Sequence, residues 1–156
     1  MNKNIHIFPG PQQAASALAA VLYHLSKAML MNKPSLSLAV SGGNSPILLF
    51  KELATNYTRK FDWKKIHLYW VDERCVPPTD KESNYGSGNR VLLEQIPVPA
   101  SNIHRIMGED DPEAEAKRYS EELKSTLPLT NGFPAFDIIL LGMGADGHTA
   151  SIFPGQ

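Results

Sequence analysis

Apolar residues in this chain follow two spacings that alternate from one end to the other. Over 14–29 they recur every three or four positions, which predicts an amphipathic α-helix. Short apolar runs, several of them rich in β-branched and aromatic residues, predict strands over 5–8, 35–41, 66–71 and 136–141. The second and fourth of these runs are each followed by a glycine, as is typical of a buried strand that stops at a turn.

Further helices are indicated by residues that favour a helix start. Ser45 is a good N-cap residue, and Pro46 suits the first helical position, where its missing N–H costs nothing. An Asp-Pro-Glu triplet begins another helix over 111–126. A shorter helix is expected over 89–95, after a long irregular loop over 73–86. Strands and helices therefore alternate, and this order predicts an α/β fold: a three-layer Rossmann-like open parallel sheet with helices on both faces.

The sequence stops soon after the last predicted strand. A parallel strand at 136–141 should lead through its loop into a covering helix and a further strand. Without them, apolar sheet surface would stay uncovered. We therefore expect residues 1–156 to form a single α/β domain that lacks its C-terminal part and represents roughly the N-terminal two-thirds of a longer domain.

Composition and charge exclude several classes of protein. Lys and Arg total 15 and Asp and Glu total 16, and the net charge of −1 disfavours a nucleic-acid partner. With 42% hydrophobic and 20% charged residues, the chain should fold around a core. No apolar run reaches the roughly 18 residues that cross a membrane, and no signal peptide is evident, so we expect a cytoplasmic protein. The single cysteine, Cys75, excludes an internal disulfide and a thiolate metal site.

Three polar or glycine-rich segments each begin directly after a predicted strand. They are SGGNSP at 41–46, DER at 72–74 and GMGADGH at 142–148. In an open parallel sheet the carboxyl ends of the strands lie at one edge, and ligands bind in the crevice there. We therefore expect the three segments to meet at one site.

The segment 41–46 has the composition of a phosphate-binding turn. Its glycines let backbone N–H groups approach a ligand, its serine hydroxyls add donors, and the following helix directs its positive end to the same place. A plain strand-to-helix turn explains these residues equally well. The lysine of a nucleotide-binding P-loop is absent, which disfavours ATP and GTP. On the phosphate interpretation the ligands are Ser41, Gly42, Gly43, Asn44 and Ser45.

The segment 142–148 contains a candidate catalytic pair, Asp146 and His148. A histidine can accept and return a proton at neutral pH, and the neighbouring glycines leave both side chains room to face the predicted site. A histidine with a purely structural role is the alternative. The spacing of Gly142, Gly144 and Gly147 also matches a dinucleotide-binding motif, but Asp146 would repel a pyrophosphate there.

The charged triplet at 72–74, the single cysteine and the remaining histidines are interpreted one by one. Arg74 could bind a phosphate through its guanidinium, and Asp72 could bind sugar hydroxyls or move a proton. Glu73 is expected to be a solvated loop residue, and Cys75 to be inert. No chemistry and no metal site are assigned to the histidines that lack metal-ligand spacing, which are His6, His24, His67 and His104.

Together the three segments resemble the glucosamine-6-phosphate isomerase/6-phosphogluconolactonase family. The resemblance rests on SGGNSP at 41–46, WVDER at 70–74 with SNY at 83–85, and GMGADGHTASIFPG at 142–155, and it spans nearly the whole chain in the family's order. It favours the lactonases. It implies hydrolysis of 6-phospho-D-glucono-1,5-lactone to 6-phospho-D-gluconate in the oxidative pentose phosphate pathway, with a small sugar phosphate lactone as partner and no metal or organic cofactor.

The resemblance also implies roles for the candidate residues. His148 is similar to the family's base, which takes a proton from the attacking water and returns one to the ring oxygen. Asp146 would orient that imidazole and stabilise its charged form. The remaining implied contacts are to the 6-phosphate from Gly42, Gly43, Asn44, Ser45 and Arg74, to a developing oxyanion from the backbone of Gly142 to Gly144, and to sugar hydroxyls from Asp72.

One departure separates the two enzymes of the family. The deaminase/isomerase pattern resembles D-G-H-x-A-x-x-E-P, whereas the position five after His148 is Phe153, whose ring cannot shuttle protons. This difference favours lactone hydrolysis. The alternatives are a glucosamine-6-phosphate deaminase/isomerase and a non-catalytic sugar-phosphate-binding domain. Family members also continue past the F-P-G segment, so further phosphate contacts are expected beyond it.

Overall fold

The computed structural model describes residues 5–43 and 46–155, which form an open sheet flanked by helices. The helices are α1 Pro11–Leu30, α2 Ile47–Asn56, α3 Asn84–Val91 and α4 Pro112–Thr126, with 3₁₀ turns at Trp63–Lys65, Leu93–Gln95 and Ala100–Asn102. The strands are β1 Leu36–Val40, β2 Ile66–Trp70, β3 Ile103–His104, β4 Leu129–Thr130, β5 Phe133–Pro134 and β6 Ile138–Leu140.

Four of these strands form a parallel sheet in the order β3-β2-β1-β6. In its register Leu38 of β1 lies beside Leu68 of β2 and Ile138 of β6. Because all four strands run the same way, their carboxyl ends lie at one edge of the sheet. The segments that follow β1, β2 and β6 therefore begin side by side at this edge, as the sequence predicted.

One face of the sheet carries the main hydrophobic core. Side chains alternate along β1 and β2, so that Leu38, Val40, Leu68 and Trp70 all belong to this core. Helices α1, α2 and α3 cover this face. Their buried contributions include Ala19 and Leu22 from α1, Leu49, Phe50 and Leu53 from α2, and Gly88 from α3, which packs beside Trp70.

The opposite face is covered by α4. Tyr119 of α4 and Leu127 pack against Ala39 and Tyr69, the residues of β1 and β2 that point away from the main core. The Tyr119 hydroxyl donates to the carbonyl oxygen of Trp70 at 3.1 Å and accepts from its N–H at 3.3 Å. It thus satisfies strand groups one residue beyond the last β2–β3 pair. The predicted three-layer fold with helices on both faces is confirmed.

Two predicted elements differ from the structure. Residues 5–8 are not a strand: Ile5 is 79% and Ile7 is 90% exposed. A strand needs a neighbouring ladder, and within the described residues none lies beside 5–8. The helix expected over 89–95 begins earlier, at Asn84, and ends as a separate 3₁₀ turn.

Two further details concern the remaining segments. Helix α2 begins at Ile47 with Pro46 as its N-terminal cap, whereas Ser45, the expected cap, lies outside the described residues. Strands β4 and β5 form a hairpin that was not predicted.

None of the described helices is both long and apolar enough to span a membrane.

Candidate active site

A cavity of about 440 Å³ lies at the carboxyl edge of the sheet, where the three predicted segments meet. The segments contribute to its wall side chains or backbone from eight of the candidate residues. These are Ser41, Gly42, Gly43, Asp72, Arg74, Gly142, Gly144 and His148. Asp146 contacts His148 but does not itself line the cavity, and Asn44 and Ser45 lie outside the described residues.

The loop after β6 holds His148 through its own backbone. The Gly144 N–H donates to the carbonyl oxygen of His148 at 2.8 Å, and the Gly147 N–H donates to that of Gly144 at 3.0 Å. A Cβ at residue 144 would lie 2.2 Å from the imidazole, far inside contact distance. Residue 144 must therefore be glycine for the imidazole to lie across it.

The His148 and Asp146 side chains form a close pair. His148 Nδ1 lies 2.5 Å from Asp146 Oδ1, and the His148 backbone N–H donates to the same oxygen at 3.2 Å. These hydrogen bonds lower the pKa of the Asp146 carboxyl, which therefore stays ionised at neutral pH. With the carboxylate accepting the Nδ1 proton, Nε2 is the nitrogen that is free to accept a proton. The ring of Phe153 packs 4.9 Å from the imidazole, centroid to centroid.

Two of the expected donors are committed inside the protein. The Gly144 N–H donates to the His148 carbonyl oxygen, and the Gly142 N–H donates to Ser41 Oγ at 3.4 Å. An oxyanion would have to displace these two acceptors. The Ser41 hydroxyl itself donates to the carbonyl oxygen of Leu140 at 3.0 Å and is buried. In this structure the hydroxyl therefore connects the ends of β1 and β6, and a phosphate contact from Ser41 stays a prediction.

Asp72 is linked to the His148 loop by a residue that the sequence analysis missed. Ser151 Oγ donates to Asp72 Oδ2 at 2.8 Å and so joins the loop after β6 to the end of β2. Ser151 lies three residues after His148, and no pattern in the sequence indicated its partner.

Glu73 is not the solvated residue that was expected. Its carboxylate is half-buried and accepts four hydrogen bonds, from the N–H groups of Arg74, Asn84 and Tyr85 and from the Ser83 hydroxyl, at 2.7 to 3.2 Å. It thereby caps the N-terminus of α3. Ser83, Asn84 and Tyr85 are consecutive in the sequence, but nothing in the sequence shows that the chain returns to Glu73 there.

The wall opposite the loops comes from the segment that leads into α3. Lys81, Glu82, Ser83, Asn84 and Ser87 all line the cavity, and none of them was predicted. Arg74 is exposed and also lines the cavity. The lining therefore includes two basic residues, Arg74 and Lys81, together with His148.

Cys75, His67 and His104 do not line this cavity. Cys75 is exposed. On the face of the sheet that α4 covers, His67 Nδ1 lies 3.0 Å from His104 Nε2, and His104 Nδ1 lies 2.7 Å from Glu122 Oε1. Burial and the neighbouring imidazole lower the pKa of His67. Within 5–43 and 46–155, no three His, Cys, Asp or Glu side chains are grouped so that they could hold a metal ion.

Comparison with known proteins identifies relatives over nearly the full sequence. Residues 9–156 match the family described as glucosamine-6-phosphate isomerases/6-phosphogluconolactonase. A 6-phosphogluconolactonase of Treponema pallidum is 46% identical over 149 residues, which cover 96% of this chain and 60% of that protein. One of Haemophilus influenzae is 47% identical over 150 residues, which cover 96% of this chain and 61% of that protein.

The structure has close neighbours too. The crystal structure of devB protein superposes with a TM-score of 0.88 at 47% identity, covering 96% of this chain and 62% of the other. The chain thus spans between 60% and 62% of the length of these relatives. With a family match that extends over 9–156, relatives of this identity and the same fold, the chain belongs to the glucosamine-6-phosphate isomerase/6-phosphogluconolactonase family.

Proposed function

We propose that this protein hydrolyses 6-phospho-D-glucono-1,5-lactone to 6-phospho-D-gluconate, as a lactone hydrolase of the oxidative pentose phosphate pathway. The observation that carries the proposal is that one cavity contains both a histidine paired with a carboxylate and an exposed arginine beside a glycine turn. The first arrangement activates water and the second binds an anion. The relatives of Treponema pallidum and Haemophilus influenzae, both named 6-phosphogluconolactonase, support the same activity.

In the proposed reaction His148 acts first as a base. Nε2 takes a proton from water while the water oxygen attacks the lactone carbonyl carbon, and the carbonyl oxygen becomes an oxyanion. Collapse of this intermediate breaks the bond between the carbonyl carbon and the ring oxygen, which takes the proton back from Nε2. Asp146 stabilises the imidazolium between the two steps.

The 6-phosphate would be held on the other side of the reaction centre. Arg74, Gly42 and Gly43, with Asn44 and Ser45 of the same turn, are its proposed ligands, and Asp72 is the proposed partner of the sugar hydroxyls. Binding of the phosphate, which does not react, would position the lactone carbonyl beside the imidazole. Ser151 would fix the carboxylate of Asp72 through the 2.8 Å hydrogen bond.

A deaminase/isomerase acting on glucosamine 6-phosphate is the second candidate. The contact between Phe153 and the imidazole argues against it, because an apolar ring lies where that reaction would need a proton-transferring group. A non-catalytic sugar-phosphate-binding domain is the third candidate, and it would keep the anion-binding wall without turnover.

Two assays separate these candidates. We expect acid release from freshly prepared 6-phosphogluconolactone, followed by a pH indicator, to exceed spontaneous hydrolysis in proportion to protein concentration. We expect no ammonia from glucosamine 6-phosphate. Ammonia release without lactone hydrolysis would assign the second function, and sugar phosphate binding without either reaction would assign the third.

Some expectations stay predictions. A single sugar-phosphate-binding domain over 1–156 is one, and limited proteolysis with 6-phosphogluconate present tests it. A cytoplasmic location is another, tested by cell fractionation. Activity that survives treatment with a metal chelator would agree with the expected absence of a metal cofactor.

A further inference from the structure

We propose that Glu73 is a positioning residue that sets the affinity of the cavity for the phosphate group of its ligand. The inference rests on the proposed function, because it concerns the anion-binding wall of the same site. It adds a role for a residue that need not touch the substrate.

The Glu73 carboxylate joins two separate segments. Oε1 accepts from the N–H groups of Arg74 and Asn84, both at 2.7 Å. Oε2 accepts from the Tyr85 N–H at 2.8 Å and from the Ser83 hydroxyl at 3.2 Å. One carboxylate therefore holds the backbone that carries the Arg74 side chain against the first turn of α3.

Helix α3 depends on this contact more than an ordinary helix would. Its sequence, NYGSGNRV, contains two glycines in eight residues. Glycine is a poor helix former, and a helix this short is marginal by propensity. The Ser83 side chain accepts from the Gly86 N–H at 2.9 Å, and Glu73 satisfies the preceding N–H groups. The position of the first turn of α3 is thus determined by the two caps.

Asn84, the first residue of α3, also contacts the turn at Gly42. Asn84 Nδ2 donates to the carbonyl oxygen of Asp72 at 3.0 Å. A Cβ on Gly42 would lie 1.9 Å from Asn84 Cγ, so the amide rests directly on the backbone of the turn. Both proposed phosphate-binding parts, Arg74 and the turn at Gly42, are therefore placed by groups that the Glu73 carboxylate holds.

The catalytic side of the cavity is held differently. His148 depends on hydrogen bonds within its own loop, to Gly144 and to Asp146, and none of these involves Glu73. Disturbing Glu73 should therefore weaken binding of the phosphate without changing the imidazole. This separation distinguishes a positioning role from a general structural one.

Glu73→Gln is the test, because the side chain keeps its shape but presents an amide N–H₂ to donors that need an acceptor. We expect calorimetric titration with 6-phospho-D-gluconate to show Kd raised about tenfold, equivalent to about 1.4 kcal/mol, with the number of sites per chain unchanged. In hydrolysis of the phosphorylated lactone we expect KM to rise by a similar factor, with kcat changed less than about twofold. Glu113→Gln, an exposed acid in the first turn of α4, is the matched control and should change neither quantity.

A purely structural role gives the opposite pattern, in which fewer sites bind with the original Kd, and this would overturn the proposal. An unchanged Kd at full site number would overturn it as well. If Glu73→Gln does not fold, Asn84→Ser removes the contact with Gly42 and Asp72 and must give the same rise in Kd. Titration does not need turnover, so a raised Kd in a protein that hydrolyses no lactone would reject the proposed reaction and support the positioning role.

Discussion

His148 faces the cavity because residue 144 has no side chain and because Asp146 follows β6 at the correct distance to accept its Nδ1 proton. These are contacts within one short loop, so the sequence could predict them. The segment 142–148 places both residues among glycines, and the structure adds that Nε2 is the ring nitrogen free to accept a proton. Glu73 and Ser151 contact residues that are distant in the sequence, and nothing in the sequence around either residue predicts those partners.

Replacing the imidazole tests its role as the base. We expect His148→Ala to lower kcat for lactone hydrolysis by about 10² or more, since proton transfer by a positioned side chain contributes about that much. His24→Ala, an exposed histidine on α1, is the control and should leave kcat unchanged. Turnover by His148→Ala at the wild-type rate would remove His148 from the mechanism.

Removing the guanidinium tests the anion-binding wall. We expect Arg74→Ala to weaken binding of 6-phosphogluconate by about 1.5–3 kcal/mol, the usual contribution of a hydrogen bond to a charged group. Titration measures the change, with Arg59→Ala as an exposed control that does not line the cavity. An Arg74→Ala protein that binds as tightly as the wild type would show that the phosphate lies elsewhere.

At the scale of elements, periodicity predicted the parts whose own residues determine their structure. Helix α4 and strands β1, β2 and β6 lie within the predicted segments, and α1 contains the whole of the predicted segment 14–29. Helix α3 was placed too late, because it is stabilised by caps from outside and by close packing of Gly88 on Trp70 rather than by propensity. The β4–β5 hairpin has a local signal in the sequence, because Asn131 and Gly132, both with positive φ, form its turn.

Helix α4 carries a buried carboxylate whose ionisation should make folding stability depend on pH. Glu115, 5% exposed, accepts from Arg118 Nε at 2.6 Å and from the Met107 N–H at 2.8 Å. The Arg118 hydrogen bond, opposed by burial and assisted by Met107, lowers the pKa of Glu115 below its usual 4.5. Since the unfolded chain then binds the proton more readily, this stabilisation is complete above about pH 4.5 and is lost as the pH falls through the folded-state pKa.

We therefore expect Glu115→Gln to lower the free energy of unfolding by about 1.5–3 kcal/mol at pH 7, because charged hydrogen bonds are lost. The loss should shrink at about pH 3, because the carboxyl of the unfolded wild-type chain is protonated there and folding must release that proton to form the charged hydrogen bonds. Urea unfolding at both pH values measures it, with the exposed Glu121→Gln of the same helix as control. An equal loss at both pH values would contradict the assignment.

At the scale of the whole molecule, the parallel order of the strands creates the site. The sequence could predict that the segments after β1, β2 and β6 share an edge, because any parallel sheet brings them there. It could not predict that α3 and the segment before it form another wall of the cavity, with Lys81 and Asn84 in its lining. That wall depends on where a long loop returns, which a single sequence does not encode in any local pattern.

The central claim is that one cavity holds a phosphate at its Arg74 side and a carbonyl carbon at its His148 side. A crystal structure with 6-phospho-D-gluconate bound tests this most directly. We expect the phosphate to contact the Arg74 guanidinium and the backbone of the turn at Gly42 and Gly43, and the carboxylate to lie at His148 Nε2. A ligand bound in the reverse orientation, or in the separate cavity lined by His67 and His104, would contradict the account.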